Sequence, residues 1–135
     1  MNSANKSEIA VLKVELRANQ KGYFVSLPKN QSSRYDLIID DGKKLYRTQV
    51  KYLNRFTSNT GKKTKKTSLE LLLSGDRTNY RKQPYTRDEI DLLLVYCPVI
   101  DEVLAFSSDV FHNKKTIYIN LYSPKCKSFY KNYIW

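Results

Sequence analysis

Asp36, Gln49 and Lys51 are the residues of this chain whose types and spacing suit chemistry on a phosphodiester. Cutting such a bond requires positive charge against the developing negative charge, an activated water and alignment with the leaving oxygen. Hard cations such as Mg2+ take oxygen ligands and keep several waters, so one or two protein carboxylates suffice. Asp36 offers the carboxylate and the Gln49 side-chain carbonyl a neutral oxygen. Lys51, close to such a cation, can orient or deprotonate the water and neutralise the phosphorane-like state.

These residues need a scaffold that brings them together, and the stretch YDLIIDDGKKLYRTQVK at 35–51 reads as a β-hairpin. An apolar run (Leu37, Ile38, Ile39) turns through Asp40, Asp41, Gly42 and Lys43, and Asp-Gly between two such runs is a strong hairpin signal. With Ile39 paired to Lys44, Asp36 is expected opposite Arg47, and Gln49 diagonal to Asp36 at roughly 7–8 Å. Asp36, Arg47, Gln49 and Lys51 then share one face, while Leu37, Ile39, Tyr46 and Val50 point into a core. On this register Arg47 either salt-bridges Asp36 or contacts phosphate. Asp40 and Asp41 read as turn residues rather than ligands.

The remaining elements frame this hairpin. Residues 6–21 are expected to be a helix, with Ile9, Leu12 and Leu16 on its apolar face, Ser7 as N-cap and Gly22 as the stop. Residues 23–27, 68–73, 90–97, 103–106 and 116–122 read as strands, and 107–112 as a short helix start capped by Ser107 or Ser108. The stretches 54–67 and 76–88 are basic loops, and 123–135 is a basic, aromatic tail. One early helix followed by a mostly β chain predicts an α+β domain on a mixed sheet, a single domain over 1–135.

Charge narrows the partner. There are 24 Lys and Arg against 13 acids, a net +11 on 135 residues, which favours a polyanion. No apolar run approaches the roughly 18 residues of a membrane span, and no long basic amphipathic helix with a broad apolar face is evident, so nucleic acid is expected rather than a membrane surface. Lys62, Lys63, Lys65 and Lys66 are the leading phosphate contacts, followed by Arg77, Arg81 and Lys82. Asn30, Gln31 and Arg34, just ahead of the active strand, are placed to contact DNA near the scissile bond, since Arg, Asn and Gln read base edges. Tyr80 and Tyr85 read as packing or loop anchors. His112 is the single histidine, which leaves a His-metal nuclease short of ligands. Cys97 reads as core and Cys126 as incidental; two distant cysteines without a disulfide framework suit a reducing cytosol.

Asp36, twelve residues, then Gln49-Val50-Lys51 resembles the PD-(D/E)-x-K nuclease core. Tyr35 stands where that pattern often has Pro, and Gln49 where it has Asp or Glu. The variant with Gln before x-Lys, in a small basic domain, is similar to the intron-encoded homing endonucleases of cyanobacterial group I introns. The resemblance implies a restriction-endonuclease-like fold and site-specific, double-strand DNA cleavage by a homo-oligomer in a bacterial cytoplasm. It implies Mg2+, with Mn2+ as an alternative. Members of the wider family often carry a Glu on the first helix, and that position falls here on Val11. Glu8, one turn earlier on the same face, is the candidate replacement as catalytic acid and metal ligand; Glu15, one turn later, or no residue at all are the alternatives.

A domain of this size is roughly 35 Å across and covers about ten base pairs. One site cuts one strand, so a double-strand cut predicts a dimer at least, with pairing of dimers into a tetramer left open. A non-catalytic nucleic-acid-binding protein and a structure-selective nuclease such as a junction resolvase are the competing readings.

Overall fold

The computed structural model describes residues 1–57, 68–73 and 83–135. Helix α1 (Ser3–Gln20) begins at Asn2, whose side chain accepts the Asn5 backbone N–H at 2.8 Å. The helix therefore starts one turn before Ser7, which is not its cap. At the other end Tyr23 N donates to Ala18 O and Gly22 N to Asn19 O, with Gly22 at φ +77°. This paired closure needs a left-handed residue, which Gly supplies without strain.

The buried stripe of α1 is Ala10, Val14 and Ala18, while Leu12 and Leu16 are 54% and 55% exposed. The expected Leu12/Leu16 core face is thus overturned. Two residues along a helix is a turn of about 200°, so burying 10, 14 and 18 sends 12 and 16 outward.

That sheet has five strands: β1 (Phe24–Ser26), β2 (Leu37–Asp40), β3 (Leu45–Tyr52), β5 (Leu92–Cys97) and β6 (Glu102–Ser107), in the order β1-β2-β3-β5-β6. β3 and β5 run parallel, and the other neighbours antiparallel. β4 (Ser68–Leu72) and β7 (Thr116–Asn120) form a second, antiparallel pair, and α2 (Ser108–Phe111) follows β6. The strands and the short helix fall where the alternation and turn signals place them, with ends shifted by at most two residues.

Alternation along the strands makes two cores. Leu37, Ile39, Val50, Leu94 and Tyr96 pack beneath α1. Leu93, Val95, Leu104 and Phe106 point the other way, against β4, β7 and α2. Removing such side chains from water stabilises a fold by about 1.5–3 kcal/mol each.

The hairpin register differs from the expected one. Asp40 pairs with Leu45, Ile39 with Tyr46, Ile38 with Arg47 and Leu37 with Thr48. The turn is therefore Asp41–Lys44, one step later on both strands. Its closure lies with Asp41, whose Oδ1 accepts the N–H groups of Lys43 and Lys44 at 2.8 Å, while Asp40 Oδ1 accepts Gly42 N. Those hydrogen bonds hold the Asp41 carboxyl below its ordinary range. Because pairing shifts by two positions in total, the face of every side chain is retained. Arg47, however, lies opposite Ile38 and not Asp36.

Candidate active site

The site lies at the open end of the hairpin, away from its turn. Asp36 N donates to Thr48 O at 2.9 Å, which pins the residue against β3 just before β2 begins. One further step of the observed register sets Asp36 across from Gln49. The two side chains touch: Gln49 Nε2 donates to Asp36 Oδ2 at 2.8 Å, and Val50 N donates to the same oxygen at 3.0 Å. The expected diagonal separation of roughly 7–8 Å is replaced by direct contact. Asp36 Oδ1 and Gln49 Oε1 accept no hydrogen bond among the described residues. Lys51, two positions beyond Gln49 and on its side of the strand, has no carboxylate partner among the described residues. Its ammonium lies 5.3 Å from the centre of the Tyr85 ring.

Helix α1 forms the opposite wall. A cavity of about 640 Å³ is lined by Ser7, Glu8, Val11 and Glu15 from the helix and by Asp36, Gln49 and Lys51 from the hairpin. The helical spacing of Glu8, Val11 and Glu15 thus brings all three to the site. Among the described residues no three His, Cys, Asp or Glu cluster closely enough to hold a metal ion. The donor set is one carboxylate beside a neutral amide, with helix acids across the cavity. Free oxygens of this kind suit a hard divalent cation that keeps several waters.

Softer ligands are committed elsewhere. The Cys97 thiol is pushed up to about 12 by burial. His112 Nδ1 accepts Arg87 N at 3.0 Å.

Arg47 is held by Asp91: its Nε and backbone N donate to Asp91 Oδ2 at 3.0 and 2.9 Å, and an Nη to Oδ1 at 3.0 Å. The same guanidinium donates to Asp88 O. It fastens the hairpin to the start of β5. Arg34 is likewise engaged, 2.9 Å from Glu89 Oε2 and donating to Gln83 O at 2.9 Å, with its guanidinium 4.6 Å from the Tyr85 ring centre. Asn30 and Gln31 are exposed ahead of β2. Lys62, Lys63, Lys65, Lys66, Arg77, Arg81 and Lys82 lie outside the described residues.

Glu89 and Asp91 escaped the sequence reading, and Tyr85, read as a packing or loop anchor and found buried, was not expected to meet Lys51. Glu89 had a signal, since Thr86 and Glu89 have the spacing of a capping pair, and Glu89 Oε1 accepts from both Thr86 N and Thr86 Oγ1. Asp91 reaches Arg47, and Tyr85 reaches Lys51, only through the fold.

A helix over a mixed sheet, with Asp and Gln-x-Lys meeting at the open end of a hairpin, is the arrangement of a PD-(D/E)XK nuclease. The sequence profile of the PD-(D/E)XK endonuclease family matches residues 1–131, and the chain belongs to that family. The fold is similar to that of a bacterial homing endonuclease, I-Ssp6803I, with a TM-score of 0.77 at 23% sequence identity. The superposition covers 99% of this chain and 89% of that one. No curated protein sequence shows significant similarity to the chain.

Proposed function

We propose that this chain is a single-domain, metal-dependent endonuclease that makes site-specific double-strand cuts in DNA, of the intron-homing type. The observation that carries the reading is the 2.8 Å contact between Asp36 and Gln49 beside Lys51, which has no carboxylate partner among the described residues, in a cavity walled by α1. Asp36, the Gln49 amide oxygen and Glu8 are the groups that would hold Mg2+ or Mn2+. Such an ion, when bound, polarises the phosphodiester and acidifies water. Val50 N–H and the Gln49 amide keep the Asp36 carboxylate oriented. Lys51 brings its charge to the scissile phosphate and can exchange a proton with the attacking water. Gln49 in place of an acid removes one negative charge, which weakens attraction for a cation but also lessens repulsion of the DNA backbone.

A double-strand cut calls for two copies. Phe24 and Leu45, 69% and 59% exposed, are linked through Asp40 in one cross-strand row on the sheet face away from α1. With Leu12 and Leu16 outside α1, they are apolar surface available for self-association into a dimer, or a tetramer if both faces are used. The net charge of +11 supports a polyanionic substrate.

A second reading has its own observation. The site lacks a three-acid cluster among the described residues, which suits a protein that binds nucleic acid without cutting it. Cleavage of a sequence-diverse linear DNA with Mg2+, read by end-sequencing, separates the two. Discrete ends at one recurrent site, lost with chelator and in Lys51→Ala while DNA affinity changes less than about threefold, are expected of the nuclease. Binding without ends for linear or branched DNA establishes the binding protein, and preference for branched DNA a structure-selective nuclease.

A further inference from the structure

A nuclease lysine has to be held in place without being neutralised. Lysine is a long chain with large rotamer freedom, and the common way to fix it is an ion pair that occupies its charge. Among the described residues Lys51 has no ion pair and is held differently. Its ammonium lies 5.3 Å from the centre of the Tyr85 ring, within the range at which an aromatic face attracts a cation. The ring attracts charge through its quadrupole yet leaves the N–H donors free for another acceptor.

Tyr85 is itself rigid. Its side chain is 9% exposed, within the core beneath β5. Its carbonyl accepts Asn113 N at 3.0 Å. Arg34 also lies on the ring, at 4.6 Å, and is anchored there by Glu89 and Gln83. Arg34 lies closer to the ring than Lys51 does, and Lys51 lines the same cavity as Asp36 and Gln49. Glu89, Arg34, Tyr85 and Lys51 thus form a chain of contacts that ends at the site.

We propose that Tyr85 is a positioning residue for Lys51, its ring holding the ammonium at the site while leaving its charge and donors free for the scissile phosphate. The proposal rests on the nuclease reading.

The test compares wild type, Tyr85→Phe, Tyr85→Leu and a protein with pentafluorophenylalanine at position 85, which keeps the ring's shape and reverses its quadrupole. Cleavage of the mapped target is followed as kcat and KM, with folding checked by circular dichroism. Tyr85→Phe is expected within about twofold of wild type. The fluorinated ring and Tyr85→Leu are expected to lower kcat about tenfold at little-changed KM, the factor a cation–aromatic contact is worth. In NMR spectra the Lys51 ε-methylene protons, assigned by their loss in Lys51→Arg, should show an upfield ring-current shift that Phe keeps and Leu abolishes. A fluorinated protein that cleaves like Tyr85→Phe overturns the proposal, and it does so even if Tyr85→Leu fails to fold. An inert wild type overturns the nuclease reading, and this role with it, whereas an active wild type insensitive to the ring overturns only this role.

Discussion

Gln49 changes what the Asp36 carboxylate needs from its surroundings. Two carboxylates in hydrogen-bond contact repel unless a cation or proton lies between them. The Gln49 amide donates to Asp36 at 2.8 Å instead, so the contact is attractive without metal. Gln49→Glu should therefore tighten Mg2+ binding several-fold, seen as a lower Mg2+ midpoint for cleavage, while lowering the melting temperature of the metal-free protein. On the facing helix, Glu8→Gln is expected to raise the Mg2+ midpoint, and Glu15→Gln to leave it within about twofold; the reverse order would assign the second acid to Glu15. That Asp36, Gln49 and Lys51 come together at one site was legible because residue type and strand alternation both pointed to it. Their contact distance was not, because it depends on which backbone groups close the turn.

At the scale of elements, the parallel pairing of β3 with β5 is fastened by Arg47 and Asp91, 44 residues apart. Hydrogen bonds from the Arg47 guanidinium hold the Asp91 carboxyl below the usual carboxylate range. A carboxyl lowered in the folded state stabilises the protein above its unfolded value, near 3.8, and that contribution is lost as pH falls through the lower folded value. Asp91→Asn should cost about 1–2 kcal/mol at neutral pH, allowing for partial solvent exposure, by urea unfolding. The difference from wild type should shrink as pH falls below about 4. Helix α1 gives a second test. Ala18 is fully buried against the sheet, so Ala18→Leu should destabilise by about 1–3 kcal/mol despite adding apolar surface. Helix existence was legible from periodicity. The buried stripe was not, because Leu12 and Leu16 carry more apolar area than the Ala10, Val14 and Ala18 that the sheet covers.

For the whole molecule, charge and exposed apolar surface make separable predictions. Affinity for DNA should fall steeply with salt, with a log–log slope set by the number of phosphates neutralised. That holds for the cutting and the non-cutting readings alike, so salt dependence tests the partner and not the chemistry. On the proposed reading, self-association decides the form of the cut. With Phe24→Ser and Leu45→Ser together, sedimentation equilibrium should show a monomer, and the product on supercoiled DNA should shift from linear to nicked circles. A double variant that remains oligomeric and linearises DNA moves the interface elsewhere, to the Leu12/Leu16 face first.

The sequence by itself determined the element types, the alternation that separates site residues from core residues, the basic character and the Asp–Gln-x-Lys arrangement. These are properties of local spacing and composition, and a two-position slip in pairing leaves strand faces intact. Tertiary structure decided the rest. It set the register through the Asp41 turn, turned Leu12 and Leu16 outward, drew Arg47 to Asp91 instead of Asp36, and brought the Tyr85 ring to Lys51. Each depends on packing or hydrogen bonding between specific backbones and side chains, several of them far apart in the chain, which residue type and periodicity do not encode.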